Sequence, residues 1–92
     1  MRLDLFLKTS RLIPRRSLAQ EFCDKGLVRV NEAPAKSSKE IKVGDVIEIR
    51  RRDRVTKIHV DQVPATKQIS KNSAGELYRL IEERAVENDP LI

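Results

Sequence analysis

The feature that most constrains the fold is a change of period at Gly26. Before it, apolar residues recur at helical spacing: Leu3, Phe6 and Leu7 in one stretch, then Leu18, Ala19, Phe22 and Cys23 in another. After it, Val28 and Val30 alternate with Arg29, the two-residue repeat of a strand. Pro14 divides the helical half, because proline breaks a helix interior but suits a first turn. The spacing predicts helices over residues 2–10 and 14–25, the second closed by Gly26 in the left-handed conformation that other residues resist.

Beyond Gly26, Asn31, Glu32, Ala33 and Pro34 read as a turn, and Lys36 to Lys42 as a polar, lysine-rich stretch. Gly44 and Asp45 make a second turn, followed by a strand with Val46, Ile47 and Ile49. Arg50 to Arg54 contain no apolar residue and form a hairpin tip, from which Ile58 and Val60 return in an antiparallel third strand that Pro64 stops. The expected architecture is α+β, two N-terminal helices packed on a small antiparallel sheet over residues 1–64. Residues 65–72 read as a linker. Ser73 with Glu76 is a capping-box pattern, and Leu77, Leu80, Ile81 and Ala85 supply one apolar stripe, so an additional C-terminal helix over 73–86 is expected before a frayed tail that ends at residue 92. On this reading the helix–sheet unit closes before Pro64, and residues 65–92 are dispensable for folding.

A chain of 92 residues is one small domain, too short for a two-domain enzyme or a deep pocket. It carries a net charge of +5, and the charge is uneven: residues 1–57 hold 15 Lys and Arg against 8 Asp and Glu, a surplus of seven, whereas residues 58–92 hold 4 against 6. A basic surplus concentrated in one part of a chain suits a polyanion such as nucleic acid. One Cys excludes an internal disulfide and fits a reducing cytoplasm, and one Cys with one His is too few soft ligands for a structural zinc site. Asp4, Lys8 and Arg11 interrupt the N-terminal apolar residues, and no apolar run approaches the length of a membrane span, so a soluble cytoplasmic protein without membrane association is expected.

Catalytic chemistry has no foothold. No nucleophile, base and orienting partner fall at a recognisable spacing, and Gly26, Gly44 and Gly75 are isolated, which excludes a phosphate-cradling glycine loop. Cys23 shares the apolar face of the second helix and reads as core; His59 alternates with Ile58 and Val60 and reads as an outward strand residue. Neither an enzyme nor a cofactor or metal site is expected.

The basic residues form the constellation that remains. Arg2 opens the first helix, Lys8 and Arg11 lie near its end, and Arg15 and Arg16 open the second, so folding the helices back would gather guanidinium groups along one edge. Lys8 and Lys25 read as ordinary solvated charges. Arg15 and Arg16 do not, since two arginines at a helix start oppose the helix dipole and an anion would resolve that conflict. Arg16 is expected at the surface, where its loss would barely change stability; the alternative is a structural ion pair with Asp4. With no Trp, with Phe6 and Phe22 at core spacing and Tyr78 in the expected C-terminal helix, there is no platform for stacking bases, so backbone and shape recognition of structured RNA is expected.

The stretch MRLDLFLKTSRLIPRRSLAQEFCDKGLVRVN, with Lys36, Ser38 and IKVGDVIEI after it, resembles the S-four RNA-binding domain, also called the alpha-L RNA-binding motif, over about residues 1–50. The resemblance implies two helices on a small antiparallel sheet whose helical edge binds folded RNA. A stand-alone copy with a short C-terminal extension is similar to the ribosome quality-control group of that family. That likeness implies binding to ribosomal RNA and tRNA on obstructed large ribosomal subunits that hold peptidyl-tRNA, in support of an RqcH-type factor during C-terminal alanine tailing, as a monomer off the ribosome. Carried over, the RNA-contacting positions are Arg2 and Arg16, with Arg11, Arg15 and Lys36 as neighbours. Glu32 departs from the pattern, which usually has Gly after Asn, and puts the tightness of that turn in question. Alternatives are a heat-shock-type relative that recycles large subunits, from which the acidic tail differs, a structural ribosomal protein, and an enzyme of which this domain would be only the leading part.

Overall fold

The computed structural model of the chain describes residues 1–64 and 75–85. Two short helices, α1 (Leu3–Thr9) and α2 (Arg16–Asp24), lie where the apolar spacing places them. Each is ended by a residue in the left-handed region. Gly26, at φ +73°, completes a Schellman turn after α2, in which the Gly26 N–H donates to the Cys23 carbonyl at 3.0 Å and the Leu27 N–H to the Phe22 carbonyl at 2.9 Å. Arg11, at φ +63°, holds the corresponding place after α1 and donates its N–H to the Lys8 carbonyl at 3.0 Å. Glycine is the usual occupant of that place, so an arginine there is held against its backbone preference.

The strands are β1 (Val28–Val30), β2 (Ala33–Pro34), β3 (Val46–Arg50), β4 (Arg54–Val60) and β5 (Tyr78–Ala85), in one antiparallel sheet of order β2-β1-β3-β4-β5. Val28, Val30, Ile47, Ile49, Ile58 and Val60 point to one face and are buried under Leu3, Phe6 and Leu7 of α1 and Ala19 and Cys23 of α2. The turn between β1 and β2 stays tight despite Glu32: Asn31 and Glu32 have φ +52° and +70°, the positive pair that a two-residue hairpin loop requires. Asn31 is fixed from the side by the Val46 N–H, which donates to its Oδ1 at 3.0 Å.

One expected element is replaced by another. Tyr78–Ala85, inside the helix expected over 73–86, is a strand paired along β4. Gly75 weakens a helix start, and β4 offers a seven-residue edge on which backbone groups can pair at once. The apolar spacing misleads because of a bulge. Tyr78 pairs with Val60 and Leu80 with Ile58, but Lys57 pairs with Glu82, so Ile81 is an extra residue in the ladder. Leu77, just before the strand, Leu80 within it and the inserted Ile81 thus fall at helical spacing without a helix. The expected linker over 65–72, the start of the expected helix and the tail after Ala85 lie outside the described residues.

The sheet unit therefore does not close before Pro64. Leu77 is buried in the core, and its carbonyl accepts from the N–H groups of Asp61 and Gln62 at 2.9 and 3.1 Å. Leu80 and Ile81, by contrast, are half exposed.

Candidate nucleic-acid interface

The helical edge is organised by Asp4, a carboxylate with no solvent exposure. Three hydrogen bonds and a further ion pair explain how it stands there. Gln20 Nε2 donates to Oδ2 at 2.8 Å and Arg16 Nε to the same oxygen at 3.2 Å. The Leu5 N–H donates to Oδ1 at 2.8 Å, and Arg2 Nε lies 3.3 Å from that oxygen. Burial alone would push the carboxyl pKa up, but the hydrogen bonds from Gln20, Arg16 and Leu5 and the charge of Arg16 outweigh it and hold the group below its ordinary value.

The two guanidinium groups stay wet, with Arg2 46% and Arg16 39% exposed at the side chain. One carboxylate cannot neutralise two guanidiniums. The edge thus keeps a surplus positive charge, on side chains held in one orientation by a buried anchor. Both planar forks suit phosphate oxygens. Arg16 is thus ion-paired with Asp4, the alternative that the sequence held open, while its side chain stays partly at the surface. The conflict between the arginines at the start of α2 and its dipole is met for Arg16 from within the chain, by Asp4.

The other expected residues surround this pair unequally. Arg15 is exposed at the N-cap of α2, which no side chain caps. Lys36 is exposed on a loop strapped to α1, since the Asp4 N–H donates to the Ser37 carbonyl at 3.1 Å and the Leu3 N–H to the Lys39 carbonyl at 2.7 Å. Lys36, Ser38 and Lys39 line a shallow groove of about 270 Å³ with Val30, Pro34 and Ala35. Arg11 stands apart, exposed at the far end of α1.

Two residues escape the sequence reading. At 100° per residue Asp4 lies only about 60° from Leu7 and so within the core-facing arc, where a charged residue is not expected. Arg51, expected on a solvated tip, turns inward: Nη2 donates to the Leu12 carbonyl at 2.8 Å and Nη1 to Thr56 Oγ1 at 3.0 Å. Burial, with the charge of Arg54, lowers its pKa from the usual guanidinium value. No sequence pattern marks it among its neighbouring arginines.

The remaining titratable groups of interest match their reading. Cys23 is buried, and burial, with the charges of Asp4 and Asp24, pushes its thiol up to about 11. His59 stands opposite Val46 on the outer sheet face, with Nδ1 2.7 Å from Asp61 Oδ1. Phe6 is buried and Phe22 and Tyr78 pack against the core, so no aromatic side chain is presented as a stacking platform.

Two helices on an antiparallel sheet, a basic helical edge and no aromatic platform define an RNA-binding module of the S4 domain class, and the S4 domain family matches residues 1–47. More particularly, the chain belongs to the family of the RQC P-site tRNA stabilizing factors. The factor of that name from Streptococcus pneumoniae is 42% identical over 90 residues, covering 97% of this chain and 99% of its own. That from Bacillus subtilis is 39% identical over 83 residues, covering 90% and 94%. Among solved structures, Heat Shock Protein 15 of Vibrio cholerae superposes with a TM-score of 0.79 at 30% identity, covering 88% of this chain and 81% of its own.

Proposed function

We propose that this protein is a non-enzymatic RNA-binding factor of ribosome quality control. It acts in the cytoplasm on large ribosomal subunits that are obstructed and still hold peptidyl-tRNA, contacts their ribosomal RNA and the tRNA, and supports an RqcH-type factor during C-terminal alanine tailing. The contacting residues in this reading are Arg2 and Arg16, flanked by Arg15 and Lys36, with Arg11 further along α1. The observation that carries it is the Arg2–Asp4–Arg16 cluster: two half-exposed guanidiniums on a buried carboxylate that neutralises only one of them. Such an arrangement binds phosphate without first ordering long side chains. The names of the relatives in Streptococcus pneumoniae and Bacillus subtilis, which refer to a P-site tRNA, support the tRNA as partner.

The likeness to Heat Shock Protein 15 supports a second reading, recycling of large subunits that carry peptidyl-tRNA. The higher identity over nearly the whole chain favours the first. The test is co-sedimentation of the tagged chain with large subunits after translation is stalled, with Arg15→Ala/Lys36→Ala as the informative variant because both side chains are exposed. Wild-type protein should travel with the stalled subunits and the variant should remain near the top of the gradient. Equal sedimentation of the two would sink the assignment of the site, and wild-type protein absent from the subunits would sink the function.

A further inference from the structure

The β3–β4 tip is a charged feature that the Arg2–Arg16 edge does not account for. Within residues 50–54 four arginines face one acid, Asp53. The tip is closed by the Arg51 N–H, which donates to the Arg54 carbonyl at 2.8 Å, so Arg52 and Asp53 form its outer end, and Arg50, Arg52 and Arg54 are exposed. Hairpin turns are ordinarily built from Gly, Asn, Asp or Pro. Crowding like charges into one raises the local potential, which favours a polyanion beside it.

Position gives the tip its meaning. Arg51 docks it on the Leu12 carbonyl, one residue from the strained Arg11. The seven residues of α1 advance about 10 Å by the helical rise, from the Asp4 cluster at one end to the Arg11 turn at the other, and the tip adjoins that turn. The Asp4 cluster, the Arg11 turn and the tip thus follow one another in that order.

We propose that the tip, through Arg52 and Arg54, is a second phosphate contact for duplex RNA, continuous with the Arg2–Arg16 edge by way of Arg11. The inference rests on the RNA-binding reading above and adds where the RNA runs. A-form RNA is recognised through phosphates and 2′-hydroxyls across its broad minor groove, so contacts spaced along one face suit a duplex better than a single strand, which would want aromatic platforms. The duplex is either a ribosomal RNA helix or a tRNA stem.

The test uses the full chain, purified large-subunit ribosomal RNA and purified tRNA, with affinity measured from 50 to 200 mM salt. Arg52→Gln/Arg54→Gln is compared with Lys42→Ala/Lys57→Ala. The latter removes the same charge from the opposite end of the hairpin and from the outer sheet face. If two phosphate contacts are lost at the tip, the salt slope falls by about two, and the affinity lost between those salt concentrations shrinks by about tenfold; the lysine variant keeps the wild-type slope. A drop confined to one RNA identifies which duplex the tip touches. Equal slopes for the two variants, while Arg15→Ala/Lys36→Ala still weakens binding, would overturn the tip and leave the functional reading in place. No salt-dependent binding of either RNA by wild-type protein would overturn both.

Discussion

Replacing Asp4 with Asn tests whether the buried carboxylate is what fixes the arginine edge. The change keeps shape and removes charge. An amide oxygen turned toward Gln20 and Arg16 would preserve both bonds to that side in weaker, neutral form, but the amide NH2 would then meet the Leu5 N–H and Arg2 Nε, donor against donor. Hydrogen bonds to a charged group contribute about 1.5–3 kcal/mol each. Arg2 and Arg16 are nearly half exposed and regain water when released, which discounts their share. The expected loss is about 2 kcal/mol, or a fall of roughly 8–16 °C in the thermal midpoint of a domain this size. The pH dependence has a definite sign. A carboxyl held below its ordinary value stabilises the fold above the unfolded value, about 4, and that contribution disappears as pH falls through the folded value. Thermal unfolding by circular dichroism should therefore show a constant gap between wild type and Asp4→Asn from pH 8 to about 5, narrowing below about 4. An unchanged midpoint at neutral pH, or a gap that persists undiminished to pH 3, would refute the role given to Asp4.

Arg11→Gly should separate binding from stability: relief of the left-handed strain, about 1–2 kcal/mol, less the extra entropy of a glycine, about 0.5–1 kcal/mol, leaves a more stable protein, while the salt slope of RNA binding falls by about one. A less stable variant with unchanged RNA binding would mean that the arginine side chain is part of the fold. Cys23, with its thiol pushed up to about 11, should react with iodoacetamide at pH 8 on the order of 100-fold more slowly in the native protein than in urea, because the thiolate is the reacting form; equal rates by mass spectrometry would show that α2 opens readily.

What could be read from the sequence was whatever local pattern and tertiary packing both favoured. Leu3, Phe6, Leu7, Ala19 and Cys23 lie where helical spacing puts them, and Gly26 closes α2 as its backbone freedom permits. β5 could not be read, because the bulge at Ile81 is defined only against Lys57 and Ile58 of a strand about twenty residues earlier, and no local period encodes a neighbour's register. Asp4 and Arg51 were hidden for a related reason. A charged residue is assigned to solvent unless its partners are known, and Asp4 meets Arg16 and Gln20 only once α2 folds back on α1, while Arg51 meets Leu12 only once the helices pack on the sheet.

The sheet explains why the basic surplus is directional. Across its outer face the register sets Arg29 opposite Glu48, Glu48 opposite Lys57, and Lys57 opposite Glu82, so that cation and anion alternate through four strands. Neighbouring pairs of opposite sign stabilise the ladder and cancel one another's field beyond a Debye length of about 8 Å. Of the surplus of seven among residues 1–57, one charge is met in the ladder by Glu82, and most of the rest falls to the α1–α2 side, the loop bearing Lys36 and the hairpin tip. β5 takes part in this division, since Glu82 supplies the last anion of the ladder and Glu83 Oε2 lies 3.3 Å from Thr56 Oγ1, the hydroxyl that also receives Arg51. The strand missing from the sequence reading thus both completes the neutral face and buttresses the arginine that holds the basic tip against the helices.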